Sequence, residues 1–250
     1  MIEKTSYDKP SAPGIQPETE AVTMESLPPV VRNWLYATGA VGHDPIRCVR
    51  LKQTGTMKLK PEQKDWTSSE SEQICFPDSP AFHCNIKMKM GKGLFVTSQD
   101  RFAKGKGSMC IKLAGIVPIS TVMENAKIDQ SALQRYLMEL GWYPSAALNP
   151  YISWEEVDDL TATATIKHAG LSGSATFYFD GHFDLVKVEA WRYKDSDENA
   201  RPLLCTVTVT ETQWVDALRI PVAIDITWQL EDGPFTWYRF KVHYIRFNVL

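Results

Sequence analysis

Residues 219–247 read RIPVAIDITWQLEDGPFTWYRFKVHYIRF, and this stretch decides the fold class. Its first half places an apolar side chain at every second position, at Ile220, Val222, Ile224, Ile226, Trp228 and Leu230. Successive side chains of a strand point to opposite faces, so this period of two predicts a β-strand with one buried face. A second alternating run, from about 236 to 247, predicts its antiparallel partner.

The register of this hairpin follows from keeping the apolar side chains on one face. A register one residue shorter would place three polar side chains on the apolar side of the pair. A loop of five residues, 231–235, instead sets Ile226 opposite Phe240 and Asp225 opposite Lys241. Because a slip of one residue turns every side chain to the wrong face, the sequence favours this second register.

Period-two patterns recur along most of the chain. They predict strands near residues 49–59, 82–90, 94–102, 109–113, 161–168, 172–180, 185–194, 203–213, 219–230 and 236–247. No helical stretch long enough for a parallel crossover separates the later strands. The sequence therefore predicts a mainly β protein of the α+β class, built on an antiparallel meander of about ten strands.

Two segments carry helical periodicity instead. Apolar residues at three- and four-residue intervals predict helices near 27–38 and 129–148, and the second has Asp129 as its predicted N-cap. The part of this second segment after Gly141 is predicted to be a turn or short helix across the sheet. Residues 1–25 lack periodicity and are predicted to form a disordered tail, which leaves 26–250 as a single domain.

The composition narrows the class of protein. Hydrophobic residues make up 44% of the 250 residues and charged residues 23%, which is ordinary for a globular chain. The net charge of −3 offers no basic excess that would bind a nucleic acid.

The sequence also bears on the compartment. No stretch approaches the roughly 20 apolar residues of a membrane span, and the N-terminus lacks the apolar core of a signal peptide. Five cysteines without a CxxC pair favour a reducing compartment, so the sequence predicts a cytoplasmic protein.

Motifs for metals and cofactors are missing from the sequence. It contains no GxSxG, P-loop, GxGxxG or HExxH pattern. The acidic cluster at 155–159 lacks the spacing and the glycine of a calcium loop, and we interpret it as a solvated turn. The five histidines are scattered. The sequence thus predicts neither a metal nor a cofactor.

Two charged side chains stand out because their parity places them on apolar faces. Arg192 continues the row of Val188 and Ala190, and Glu211 continues the row 205–209. A charge in such a position must be paired, lie at the rim or line a wet cavity. Hairpin geometry keeps these two about 20 Å apart, so they are not expected to pair with each other.

The predicted ligand-binding residues combine these charges with aromatic side chains that can line an apolar cavity. They are Trp142, Tyr143, Trp154, Arg192, Glu211, Trp228, Tyr238 and Arg239. The same aromatic residues are equally compatible with a plain core. For an enzyme, the candidate proton carriers are Glu189, Glu211 and the carboxylates at 155–159, and Arg192 or Arg239 would hold an anion. By parity, Glu189 lies on the opposite face from Arg192.

Five stretches resemble a widespread family of bacterial proteins that carry a domain of unknown function. They are LPPVVRNWL, GAVGHDPIRCVRLKQTGTMKL, RYLMELGWYPSAAL, FYFD followed by VEAWRY, and GPFTWYRFKVHYIRFN, which together span about residues 27–248. The most specific is RYLMELGWYPSAAL, where Gly141 stands at a position often occupied by proline. The resemblance implies no established activity. It implies a shape similar to the lipoprotein-carrier (LolA-like) fold, a strongly curved, half-barrel-like antiparallel sheet with helices on its concave face.

Three functions remain open at this point. The first is a binding protein that holds a hydrophobic small molecule, lipid or acyl group in the concave side of the sheet, with the second helix and the segment 142–154 as its lid. The second is an enzyme that uses carboxylates for acid/base chemistry on an apolar substrate. The third is a protein-interaction domain, which would show a large exposed apolar patch instead of an enclosed cavity.

Overall fold

The structure is a computed structural model that describes residues 22–91 and 93–249. Most of the predicted disordered tail, residues 1–21, lies outside the described residues. The described end of that tail is folded, since Met24–Ser26 forms a 3-10 helix and Val22 and Met24 pack against the core. Packing therefore begins before the predicted boundary at residue 26.

The described residues form thirteen strands and two α-helices. The α-helices are α1 (Pro29–Ala37) and α2 (Ala126–Met138), and α2 is followed by the 3-10 helices Leu140–Trp142 and Pro144–Leu148. The strands are β1 (Val49–Met57), β2 (Thr67–Phe76), β3 (Ala81–Gly91), β4 (Leu94–Ala103), β5 (Lys106–Leu113), β6 (Val117–Val122), β7 (Ile152–Asp158), β8 (Thr161–His168), β9 (Leu171–Phe179), β10 (Leu185–Tyr193), β11 (Pro202–Val215), β12 (Leu218–Leu230) and β13 (Gly233–Phe247). The predicted mainly β class is confirmed, with thirteen strands in place of about ten.

All thirteen strands belong to one antiparallel sheet, in the order β6-β5-β4-β3-β2-β1-β13-β12-β11-β10-β9-β8-β7. The first and last strands, β1 and β13, lie side by side in the middle. The connection from β6 to β7 therefore runs from one edge of the sheet to the other, and α2 with the two 3-10 helices forms that connection. A short helical connection can join the two edges only if the sheet curls.

The contacts of α2 show this curl directly. The helix touches β4 and β5 on one flank of the sheet and β8, β9 and β10 on the other. Two glycines permit the close approach: a Cβ atom on Gly107 would lie 2.9 Å from the Ile128 carbonyl oxygen, and one on Gly173 would lie 2.4 Å from Cγ of Gln134. The half-barrel-like curvature with a helix on its concave face, which the family resemblance implied, is thus confirmed.

The sequence pattern did not predict three of the strands, and each omission has a physical reason. Strand β2 carries Ser69, Ser71 and Gln73 on its buried face, so its alternation is not apolar. Strand β6 contains a proline and lies at one edge, where unpaired backbone groups are tolerated. Strand β7, at the other edge, includes most of the acidic cluster. The cluster at 155–159 is exposed to solvent, as predicted, but as far as Asp158 it belongs to β7 and not to a turn.

The N-terminus of α2 also differs from the prediction. Asn125, not Asp129, is the N-cap, and its side-chain oxygen accepts hydrogen bonds from the amides of Lys127 and Ile128. Asp129 lies one turn further on and is buried. Its carboxylate accepts a hydrogen bond of 2.7 Å from the Gly107 amide and pairs with Lys106 at 2.9 Å. Asp129 therefore fastens α2 to β5.

This assignment predicts unequal costs for two alanine substitutions. Asn125→Ala removes a cap and should lower the free energy of unfolding by about 1 kcal/mol. Asp129→Ala should cost about 2–3 kcal/mol, because it leaves the buried Gly107 amide without an acceptor. Urea unfolding measures both values. A cost for Asp129→Ala no greater than that for Asn125→Ala would contradict the fastening role.

The β12–β13 hairpin keeps its predicted face but not its predicted register. Ile226 lies opposite Tyr238 and Ile224 opposite Phe240, two residues from the prediction. The loop is a tight turn between Leu230 and Gly233 and not a five-residue connection. With this two-residue turn alone, the apolar side chains of β13 would point to the wrong face of the sheet. A bulge next to Thr227 shifts the register by one residue and keeps them on the apolar face. As a result, Asp225 pairs with Arg239 at 3.2 Å, and the predicted partner Lys241 binds elsewhere.

One end of the concave face is filled by solid core. Trp34 of α1 is 1% exposed, and its ring centre lies 5.6 Å from that of Phe179 and 6.3 Å from that of Trp154. Phe177 joins the same cluster, with its ring centre 5.0 Å from that of Trp154. This packing occupies the space over β7, β8 and β9. The rest of the concave face lies under α2, which spans from β8, β9 and β10 on one flank to β4 and β5 on the other.

Candidate ligand-binding cavity

A cavity of about 340 Å³ lies between α2 and the concave face of the sheet. Its wall is mostly apolar and is built by inward-facing side chains of β10–β13 and by α2, namely Val188, Cys205, Val207, Val209, Ile224, Ile226, Trp228, Tyr238, Phe240, Ile128, Ala132 and Met138. Exposed side chains such as Leu59 and Lys194 also line it, so it opens to solvent where β1 and β10 end.

The period-two pattern explains this wall. Inward-facing residues of β11 and β12 pair across the ladder, as Val207 does with Ile226 and Val209 with Ile224. Val207, Val209 and Ile226 are only partly buried, although they face the concave side. Their remaining exposed surface borders the cavity because α2 does not reach down to them.

Arg135 of α2 is the centre of a polar cluster at one end of the cavity. Its guanidinium donates to Glu139 at 2.9 Å, to Asp100 at 3.0 Å and to the side-chain oxygen of Gln73 at 2.7 Å. It also stacks over the ring of Phe82, 4.6 Å from the ring centre. Burial disfavours its charged form, but Glu139 and its neighbours outweigh that effect and hold the pKa of Arg135 above its usual range. Each of the three guanidinium nitrogens of this arginine therefore has a partner within the protein.

A second group of polar side chains comes from β1, β2 and β13. The Ser71 hydroxyl donates to the side-chain oxygen of Gln53 at 2.7 Å and lies 3.4 Å from the Tyr238 hydroxyl. Gln73 donates to Glu139 at 2.6 Å, which links this group to the arginine cluster. Buried polar side chains are stable only when hydrogen-bonded, and these are.

Arg192 of β10 lines the same cavity with a different set of partners. Its Nε atom donates to the Ser131 hydroxyl at 3.0 Å, and its guanidinium lies 5.6 Å from the ring centre of Trp228. It forms no ion pair with any carboxylate of the described residues. Burial lowers the pKa of Arg192, and the neighbouring Cys205 offsets part of this effect. An arginine nevertheless stays protonated, so Arg192 is a cation in an apolar wall.

Half of the eight predicted ligand-binding residues line the cavity. Trp142, Arg192, Trp228 and Tyr238 do so. Two others belong to the solid core: Tyr143 is fully buried and donates to the Tyr136 carbonyl at 2.6 Å, and Trp154 packs in the Trp34 cluster.

The remaining two, Glu211 and Arg239, face away from the cavity. A bulge on either side of Glu211 breaks the period of two, so its side chain leaves the apolar row. Glu211 instead accepts from Lys241 at 2.5 Å, and this bond lowers the pKa of Glu211. Arg239 pairs with Asp225 and lies over the ring of Trp66.

The candidate proton carriers are not gathered at the cavity. Glu189 accepts hydrogen bonds from Tyr178 at 2.8 Å and Thr206 at 3.3 Å, on the face opposite Arg192, as its parity predicted. Burial opposes its ionisation, but these bonds and Lys187 outweigh it and lower the pKa of Glu189. Burial raises the pKa of Cys84, a thiol of the cavity wall, to about 11, so at neutral pH it is not a thiolate nucleophile.

Sequence reasoning missed Arg135, Glu139, Asp100, Gln73 and Gln53. The i,i+4 spacing of Arg135 and Glu139 was a usable signal, but on a helix it is common on solvated faces. Only the curl of the sheet brings Asp100 of β4 and Gln73 of β2 against α2.

A second depression, of about 580 Å³, is lined mainly by outward-facing side chains of β1–β5. Its two carboxylates already pair, Glu72 with Lys52 at 3.9 Å and Glu70 with Lys89 at 2.7 Å, and its lining is mainly polar and charged. The cavity under α2 is therefore the better candidate for a ligand site.

Comparison with known families supports the resemblance seen in the sequence. The family of unknown function DUF6920 matches residues 25–247. The chain belongs to this family. No curated protein matches this DUF6920 chain.

Two solved structures are similar to the DUF6920 chain. A LolA superfamily protein from Nitrosomonas europaea is 9% identical, with 88% of this chain and 94% of that chain covered and a TM-score of 0.49. A beta-barrel-like protein with the domain of unknown function DUF1849 from Brucella abortus is also 9% identical, with 83% and 100% covered and a TM-score of 0.26.

Two further observations concern the described part of the DUF6920 chain. Within residues 22–91 and 93–249, no helix has the length and apolar character needed to cross a bilayer. In the same residues, no three histidine, cysteine, aspartate or glutamate side chains gather where they could hold a metal ion.

Proposed function

We propose that this protein binds an amphiphilic molecule with an acyl-type chain in the cavity under α2. The chain would lie along the apolar wall of β10–β13, and a polar or acidic head would face Arg192. The observation that carries the proposal is a mostly apolar cavity of about 340 Å³ whose wall includes Arg192, a guanidinium that pairs with no carboxylate of the described residues. Protein ligand sites typically span about 300–1,000 Å³ and combine apolar walls with a few polar groups.

The charges around the cavity support an amphiphile over a purely apolar ligand. The charge of Arg135 is already matched by the carboxylates of Glu139 and Asp100, so it attracts an anionic ligand less than Arg192 does. Arg192 has only Ser131 as a hydrogen-bond acceptor, apart from its contact with the Cys205 thiol. A carboxylate or phosphate oxygen at Arg192 would form the charge-assisted hydrogen bonds that a guanidinium makes best.

Filling the cavity tests the proposal. The probe is dansyl-labelled undecanoic acid, whose fluorescence rises when it enters an apolar site. Val207→Trp places a large ring on the cavity wall and should weaken probe binding at least tenfold. Thr208→Trp is the matched control, because the next residue of the same strand points to the other face and pairs with Asp225; it should leave binding unchanged.

Circular dichroism and thermal unfolding establish that both variants fold, since overpacking in a wall costs about 1–3 kcal/mol. Wild-type protein that does not bind the probe, or a folded Val207→Trp variant that binds it as well as wild type, would refute the proposal. Mass spectrometry of the purified protein under native conditions adds an independent test, since a retained acyl compound is the expected result.

A further inference from the structure

Two hairpin turns lie side by side at one end of the sheet. The first joins β3 to β4 and the second joins β5 to β6. Val96 pairs with Leu113, and the Ala114 amide donates to the Phe95 carbonyl at 2.8 Å, so the two turns form one continuous tip.

This tip exposes a group of large apolar side chains. We define the apolar tip surface as Met90 (48% exposed), Leu94 (53%), Ile116 (79%), Val117 (57%) and Ile119 (59%). Scattered apolar residues on a surface are normal, but a contiguous group marks an interaction site. Strand β6, which carries part of the group, is an edge strand of the described sheet.

The same tip is basic, although the whole chain is acidic. The described residues of 86–99 together with 108–123 contain Lys87, Lys89 and Lys112 and no aspartate or glutamate, whereas the chain has a net charge of −3. Acidic residues at this end of the sheet lie in the loop 195–198, in the turn after β12 and in the β1–β2 loop, where Glu62 and Asp65 are outnumbered by Lys58, Lys60 and Lys64. Lys89 is paired with Glu70 of β2.

The ladder places the tip at the end of the sheet where Leu59 borders the cavity. Met57, at the end of β1, pairs with Thr67, and the row continues through Ser69, Met88 and Val96 towards the second turn. Leu59, which follows β1 and lines the cavity, is 54% exposed at this end.

We propose that the apolar tip surface docks this protein on an anionic phospholipid bilayer. Ile116 and Val117 enter the boundary between headgroups and acyl chains, and the surrounding lysines contact anionic headgroups. Apolar side chains with adjacent lysines are the chemistry that binds such an interface. This docking would hold the cavity mouth against the membrane. It does not rest on the cavity ligand, and its test uses no such ligand.

Co-sedimentation with vesicles tests the docking. Wild-type protein is expected to bind vesicles of phosphatidylcholine mixed with phosphatidylglycerol and to bind vesicles of phosphatidylcholine alone much more weakly. Ile116→Asp should reduce binding to the mixed vesicles at least tenfold, since it replaces the most exposed apolar side chain with an anion. Val157→Asp is the matched control, because Val157 is 59% exposed on β7, the opposite edge strand, and this variant should bind as wild type does.

Two double variants, which have the same net charge as each other, test the role of the lysines. Removing a lysine near an anionic surface weakens binding about fivefold, so Lys87→Gln with Lys112→Gln should weaken it roughly 25-fold. Lys104→Gln with Lys167→Gln removes the same charge from exposed sites outside the tip and should change binding little.

Three outcomes would overturn the docking. The first is wild-type protein that stays in solution with the mixed vesicles. The second is equal loss of binding in the tip variants and in their controls. The third is a dimer, detected by ultracentrifugation, that Ile116→Asp dissociates while wild-type protein ignores vesicles, which would assign the surface to a second copy of this chain.

Discussion

Arg135→Met is expected to lower the free energy of unfolding by about 3–5 kcal/mol, because it removes the cation from a buried cluster and leaves two carboxylates behind. Glu139 and Asp100 contact this guanidinium at 2.9 and 3.0 Å, and their side chains are only 13% and 23% exposed. Gln73 would lose its donor as well. Methionine retains much of the apolar stem, so the loss reports the charge and its hydrogen bonds more than the packing.

Arg239→Met is the control for that experiment. Arg239 also pairs with a carboxylate, that of Asp225, at 3.2 Å, but its side chain is 52% exposed. An exposed pair of this kind contributes less than about 1 kcal/mol. Urea unfolding measures both variants. Similar losses for the two would show that the Arg135 cluster is no more important for stability than a surface ion pair.

Arg192→Met is expected to weaken binding of dansyl-labelled undecanoic acid about 10- to 100-fold, the equivalent of the roughly 1.5–3 kcal/mol of a hydrogen bond to a charged group. It should cost little stability, in contrast to Arg135→Met. The hydrogen bond to Ser131 that it forfeits is worth about 1.5–3 kcal/mol, but the substitution also removes a partly buried cation that has no ion-pair partner among the described residues, and this relief offsets much of the loss.

The methyl ester of the same probe is the control for the head group. The ester has the same chain but no anion, so Arg192→Met should leave its affinity nearly unchanged. Equal affinity of the wild type and the variant for the acid would refute the role of Arg192, while binding of the ester would still uphold the apolar cavity. Arg192→Lys refines the test, because it keeps the charge but loses the planar fork of donors.

The two arginines show how far sequence reasoning reaches in this protein. Arg192 was identified because a charge interrupts a period-two apolar row, and a strand turns that period directly into a face. Arg135 was not identified, since a helix tolerates charges beside its apolar stripe. Its partners Asp100 and Gln73 are 35 and 62 residues away along the chain.

The bulges explain where counting by two failed. Parity correctly predicted the inward direction of Ile226 and the outward direction of Glu189. It failed at Glu211, where a bulge in β11 turns the side chain out of the apolar row. It kept the face but missed the register in β12–β13, where a tight turn and a bulge compensate. A bulge adds one residue without a hydrophobic signature, so counting by two cannot detect it.

By itself, the sequence determined the strand class, most of the strands and the two helical segments, because these depend on the local pattern of apolar and polar residues, while the family followed from the resemblance of five stretches. Only the tertiary structure decided that β1 pairs with β13, that the sheet curls around α2, and that Arg135, Asp100 and Gln73 meet beside Arg192. The physical reason is that pairing and curl depend on contacts between residues far apart in the chain. The connection from β6 to β7, which joins the two edges of the sheet, imposes those contacts.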